Sequence, residues 1–181
     1  MAKLRFLFYN AKIDGHLLDN LIAGYTALFP CNWGTLGYSH AELWFPDEQG
    51  SFGYGNVICG QTFSATLRDG CNGTRFQDAS ITMKHPARWD WIELEVTDEQ
   101  LALAGQIARQ ELGKKYDLLG FFGFVIPGLY NPEMMDYCSE VCTYIAWRIG
   151  LLWYQQRTIS PKRMYKKIAQ IKEIQDRRLF E

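Results

Sequence analysis

An antiparallel sheet packed against helices, an α+β fold, is what this sequence predicts. Three observations carry the expectation. Up to about residue 96, short apolar or alternating segments are separated by turn residues, as strands are. Beyond it, apolar residues recur at helical spacing between capping residues and glycines. The chain has 181 residues, 48% hydrophobic and 15% aromatic. That suffices for one sizeable core and excludes a disordered chain. A single domain over 1–181 is expected, with a C-terminal helix from about 161.

The elements follow in order. Residues 3–9 read as a first strand. Asp14 is placed to cap a helix over 15–28, where Leu17, Leu18, Leu21, Ile22 and Tyr25 share one face. Phe29-Pro30 ends it, and 31–37 is a loop. Residues 39–45 are apolar and aromatic after a polar start, a strand, followed by the turn Pro46-Asp47-Glu48-Gln49-Gly50. Strands are expected near 56–58 and 61–67, then a turn at Arg68-Asp69-Gly70 and an extended stretch from Gly73 to Phe76. In 89–96, Trp91, Glu93 and Glu95 alternate with Ile92, Leu94 and Val96, a half-buried strand. Thr97 caps a helix over 98–112 that Gly113 closes. Tyr116-Asp117 opens a short apolar helix to about Phe124. Residues 138–149 form another, ended by Gly150. Ser160-Pro161 starts the last, because a proline at the first helical position loses no hydrogen bond.

Several function classes are excluded by composition. Formal net charge is −1, so no nucleic-acid partner is expected. The basic bias is confined to 161–167 and Arg177-Arg178 and reads as a solvated helix face. Cysteines stand at 31, 59, 71, 138 and 142, an odd number without a C-x-x-C, which argues against a disulfide framework and for a reducing, cytoplasmic compartment. The N-terminal apolar stretch is too short for a signal peptide. The longest apolar run, 118–130, is broken by Gly120, Gly123, Pro127 and Gly128 and falls short of the ~20 residues of a membrane span. Gly50, Gly53, Gly55 and Gly60 lack the G-K-[ST] of a phosphate loop. No cofactor is expected. Trp89, Trp91, Trp147 and Trp153 read as core, and Phe121-Phe122-Gly123-Phe124 as a buried helix.

The chemistry-bearing residues are Cys138 and His40. Cys138 sits at the start of a helix, where about four backbone N–H groups lack intrahelical partners. The positive end of the helix dipole favours its thiolate, and the same donors suit an oxyanion. Cys31, Cys59, Cys71 and Cys142 have no such position. His40 begins a strand, whereas His16 lies within the first helix and His85 precedes a proline. Glu42 shares the face of His40, since side chains alternate along a strand. It is the first candidate to orient the imidazole. Residues i and i+2 are roughly 6–7 Å apart, a long reach, so Gln61 and Ser64 on the next strand stay open as alternatives, with Asn56 behind them. Tyr137 and Ser139 flank the cysteine and are candidates for the substrate or oxyanion site. Glu140 suits the helix dipole and reads as structural. Zinc at Cys138, Cys142 and His40 would lack a fourth ligand, so no metal is expected.

The segments S-H-A-E-L at 39–43, G-K-K-Y-D at 113–117 and Y-C-S-E-V at 137–141, with the stretch from Thr62 to Arg75, resemble the circularly permuted papain-like hydrolases of the NlpC superfamily, YiiX-like branch, many of them small proteins of tailed phages. The resemblance spans roughly 3–165. It implies a permuted papain-like fold, a sheet or barrel against helices, with the cysteine helix after the sheet. It also implies Cys138 as nucleophile, His40 as base and a third polar residue that orients His40. The expected function is a thiol hydrolase acting on an amide, peptide or peptidoglycan-like, in the cytoplasm of the host if phage-encoded. The alternatives are a thioesterase or acyltransferase of the lecithin retinol acyltransferase type, acting on an acyl substrate, and a non-catalytic virion component or inhibitor with a host or virion protein as partner. Oligomeric state is not set by the sequence.

Overall fold

The computed structural model describes residues 1–10, 37–67, 70–116, 135–154 and 159–178. The helix expected over 15–28 with Asp14, His16 and Cys31, the turn residues Arg68 and Asp69, and the stretch 117–130 lie outside them. Five strands form one antiparallel sheet: β1 (Ala2–Asn10), β2 (Tyr38–Phe45), β5 (Gln61–Thr66), β6 (Gly73–Asp78) and β7 (Trp89–Val96), in the order β6-β5-β2-β1-β7. Two short strands, β3 (Gly53–Tyr54) and β4 (Val57–Ile58), make a separate hairpin. Sequence reading placed only the second of these. A four-residue helix α1 (Ala79–Thr82), capped by the Asp78 carboxylate on the Ser80 N–H, was also not foreseen. Among the described residues three longer helices follow: α2 (Asp98–Gln110), α3 (Cys138–Arg148) and α4 (Pro161–Arg178).

Alternation along the strands divides the molecule into two layers. Leu4, Phe6 and Phe8 of β1, Ala41 and Leu43 of β2 and Phe63 and Ala65 of β5 turn to one face. Ala104 and Ile107 of α2, Val141, Cys142 and Ile145 of α3, and Met164 and Ile168 of α4 cover it. This is the main core, and the sheet therefore packs against three helices. The opposite face carries a smaller cluster of Leu7, Tyr9, Trp44, Phe52, Met83 and Trp89. β2 is buried along nearly its whole length because both of its faces are covered. Among the described residues, no helix is long and apolar enough to cross a membrane.

The helix ends are set locally, as the sequence indicated. The Thr97 hydroxyl accepts from the Gln100 N–H at 3.1 Å and the Gln100 side chain accepts from the Thr97 N–H at 2.9 Å, a complete capping box. Gly150 takes φ 78° just beyond α3, where a side chain would be strained. Lys115–Tyr116 forms β8, paired in parallel with β9 (Met135–Asp136), and the apolar helix expected to follow lies outside the described residues. Pairing across that sequence distance leaves no local signature. It fixes the chain immediately before Cys138.

Gly73 joins the two halves. Its φ is 139°, and a Cβ there would lie 2.0 Å from the Lys114 carbonyl oxygen. Next to it, the Thr74 N–H donates to that oxygen at 2.9 Å and the Thr74 hydroxyl to the Glu111 carbonyl at 2.5 Å. Gly73→Ala is therefore expected to destabilise the fold by about 2–4 kcal/mol, combining backbone strain with a displaced contact. Chemical denaturation read by circular dichroism checks this; an unchanged midpoint would contradict it.

Two of the four tryptophans expected in the core are not there. Trp89 is buried, but Trp91 is 46% exposed and Trp153 is fully exposed. Among the described residues β7 ends the sheet, and Trp91, opposite Leu7, stands on the face of the smaller layer. Trp153 stands in the turn after α3, and no described element covers it.

Candidate active site

The site is built where the end of one strand meets the start of one helix. β1 and β2 pair in regular register from Arg5↔Trp44 to Tyr9↔His40, then slip so that Asn10 faces Tyr38. The slip leaves Ser39 as an extra residue beside His40. A bulge of this kind bends the strand and re-aims its side chains. Nothing in local sequence announces it.

α3 packs on the same strand from the helical layer. Its Cys142 thiol donates to the Ala41 carbonyl at 3.8 Å. Cys138, one turn earlier, is thereby brought to the start of β2. Its sulfur is hydrogen-bonded by the His40 side chain and by the backbone N–H groups of Ala41 and Ser139. Tyr137 is the N-cap of α3 in an extended conformation and makes no side-chain capping bond. No capping side chain claims the first-turn donors, of which the Glu140 N–H is taken by the Tyr137 carbonyl at 3.1 Å and the Ser139 N–H by the sulfur.

His40 is held between two partners. Its Nε2 lies 3.0 Å from Glu42 Oε1, which leaves Nδ1 as the nitrogen available to the thiol. The i to i+2 reach that looked long is closed, because both side chains leave the same face and the glutamate is long enough to lean back. The Trp89 ring stands edge-on to the imidazole at 6.1 Å. Glu42 takes further support from three groups outside its strand. Thr62 of β5 bonds it, and the Thr82 hydroxyl at the end of α1 reaches Oε2 at 3.5 Å, the two hydroxyls being 2.7 Å apart. The charge of Arg75 on β6 acts on it as well.

The electrostatics follow from burial opposed by partners. Cys138, His40 and Glu42 are 4%, 5% and 2% exposed. Burial alone pushes the Cys138 thiol up, but the positive charge and hydrogen bond of His40 and the two backbone N–H groups outweigh it, and its pKa falls below the ordinary thiol value. For Glu42 burial again raises, and His40, Arg75 and Thr62 together bring the carboxyl below its usual range. In so dry a place an ion pair is worth much more than at the surface.

The remaining candidates fall elsewhere. Gln61 is exposed at the outer end of β5, opposite Asp78. Ser64 donates to the Ala41 carbonyl at 2.7 Å and so steadies the residue whose N–H faces the sulfur, without a bond to His40. Asn56 is exposed in the β3–β4 turn. Of the two residues expected in the oxyanion site, Tyr137 accepts at its hydroxyl from the Ile159 N–H at 2.8 Å, and Ser139 donates its own to the Ile159 carbonyl at 2.5 Å. Both side chains anchor the segment before α4, and only the backbone of Ser139 faces the sulfur. Thr62, Thr82 and Arg75 were missed. The parity of β5 was a usable signal: Phe63 and Ala65 belong to the core face, so Thr62, not Gln61, shares the face of Glu42. Among the described residues no group of three His, Cys, Asp or Glu side chains is arranged to hold a metal ion. No protein-family model, no curated protein and no solved structure matches the chain.

Proposed function

We propose that this chain is a thiol hydrolase that cleaves an amide bond, in a peptide or peptidoglycan-like substrate, through an acyl-enzyme. Cys138 is the nucleophile, His40 the base and Glu42 the residue that positions His40. One observation carries the reading: a single imidazole is hydrogen-bonded on one side to a buried carboxylate and on the other to a thiol at a helix N-terminus. A histidine that only filled core space would not need both partners, and a cysteine that did so would not be drawn towards its anion.

The proposed steps use this geometry. The thiol proton passes to His40, and Glu42 stabilises the resulting imidazolium. The Cys138 sulfur attacks the substrate carbonyl carbon, and the oxygen gathers negative charge. The Cys138 N–H, at the first helical position and without an intrahelical acceptor, is the donor placed for that oxygen. His40 returns its proton to the departing amine and then takes one from the water that opens the thioester. The cysteine helix follows the sheet in the chain and packs on the histidine strand, which supports the permuted papain-like arrangement. A thiolate of this kind persists in a reducing compartment such as the cytoplasm of a host cell. No disulfide joins the four described cysteines.

The test is the pH profile of iodoacetamide labelling, followed cysteine by cysteine by peptide mass spectrometry. The midpoint is the readout, because Cys138 is far less exposed than Cys59 and Cys71. Cys138 should titrate below an ordinary thiol, and His40→Ala should move that midpoint up. An ordinary thiol midpoint for Cys138 would leave a non-catalytic module as the better reading.

A further inference from the structure

A cavity of about 480 Å³ opens on the sheet face that carries His40, well away from the sulfur. Its floor is the row of the sheet where Trp44, Arg5 and Glu93 stand side by side on β2, β1 and β7. Trp44 is four residues along β2 from His40, about 13 Å at strand rise. Phe52 from the segment before β3 and the half-exposed Trp91 of β7 form walls. Nothing in the Cys138 chemistry uses this space.

Arg5 is the feature that gives the cavity a chemistry. Its guanidinium carbon lies 4.0 Å from the centre of the Phe52 ring and 4.8 Å from that of Trp44. Its Nε donates to Glu93 Oε2 at 2.9 Å. Lys3 occupies the other carboxylate oxygen of Glu93 at 2.6 Å. The plane of the guanidinium is thus fixed by two rings and one bond, while neither Nη group has a hydrogen-bond partner among the described residues. The side chain is 23% exposed. Among the described residues, Lys3, Arg5 and Glu93 are the charged groups that line the cavity, and together they carry a net charge of plus one.

We propose that this cavity binds a small molecule bearing an oxyanion, a carboxylate or a phosphate, on a flat aromatic group. The pair of unpartnered Nη donors forms a fork that matches two oxygens of such an anion. The fork is ordered before the ligand arrives, which lowers the entropic cost of binding. Trp91 offers the exposed ring against which a flat group stacks. A volume of this size lies within the range of small-molecule sites. The site does not depend on the thiol chemistry and would stand if that reading failed.

Calorimetric titration with benzoate, phenyl phosphate, inorganic phosphate and benzyl alcohol tests it. One of the two charged aromatic probes should bind saturably and at least tenfold more tightly than benzyl alcohol, and more weakly as salt is added. Tighter benzoate identifies a carboxylate ligand; tighter phenyl phosphate identifies a phosphate. Arg5→Gln should weaken the preferred probe at least tenfold. Trp91→Ala, at an exposed position, should weaken the aromatic probe at least threefold and leave inorganic phosphate unchanged. It serves alone if Arg5→Gln does not fold. Equal affinity for benzyl alcohol, no saturable binding of either charged probe, or unaltered aromatic-probe affinity in both variants would overturn the proposal.

Discussion

Cys138→Ser is expected to abolish acyl-enzyme formation with an activated ester such as p-nitrophenyl acetate, where the native protein should give a burst and an acetyl group mapped to Cys138. A serine hydroxyl keeps the shape but lacks a reachable anion near neutral pH, so the pairing with His40 no longer supplies a nucleophile. His40→Ala should slow the burst by about 10²–10⁴-fold, the usual contribution of a positioned base. The thiol then stays protonated and buried with no acceptor for its proton. Stopped-flow absorbance gives the rates and intact-protein mass spectrometry the adduct. A burst of native size in Cys138→Ser would remove Cys138 from the chemistry. Parallel rates on anilide and ester substrates of the same acyl group would separate amide cleavage from thioester or transacylation chemistry.

Glu42→Ala is expected to be the most destabilising change at the site. It leaves a buried imidazole and an Arg75 charge without their carboxylate, and breaking a buried pair in this way costs about 3–5 kcal/mol. For a chain of this length, each kcal/mol lowers Tm by about 2–4 °C. Glu42→Gln keeps the shape and an oxygen for His40 Nε2–H, and should cost less. The pH dependence has a defined sign. The carboxyl of Glu42 is below its ordinary range in the folded protein. Its stabilisation is thus complete above the pKa of an unfolded glutamate and is lost as pH falls through the lower folded value. Thermal melts of the native protein should weaken on that acid limb, and those of Glu42→Gln should be flatter there. A purely structural glutamate would do no more. If Glu42 also stabilises the imidazolium, Glu42→Gln must raise the alkylation midpoint of Cys138; an unshifted midpoint would confine it to the structure.

Much of this molecule was legible because its signals are local. The capping box at Thr97, the glycine after α3 and the start of α4 at Ser160-Pro161 depend on residues within one turn. So does the strand alternation that puts His40 and Glu42 on one face. Where two elements must meet, legibility ended. Gln61 and Ser64 were equal candidates in sequence, yet they stand on opposite faces of β5, and the hydroxyl of Ser64 is used by a carbonyl where the ladder with β2 ends. The strand at Lys115–Tyr116 had no local signal either, because its partner at Met135–Asp136 lies about twenty residues away.

From the sequence alone came the α+β class, the strand under His40, the helix under Cys138 and the shared face of Glu42, since period and capping are properties of a few consecutive residues. Tertiary structure alone decided that the imidazole touches both the carboxylate and the sulfur, that Thr62, Thr82 and Arg75 stand behind Glu42, and that the hydroxyls of Tyr137 and Ser139 turn to Ile159. Those outcomes rest on register, on one extra residue at Ser39 and on how α3 lies across β2. Such contacts join residues up to about a hundred positions apart, and no local periodicity encodes the distance between them.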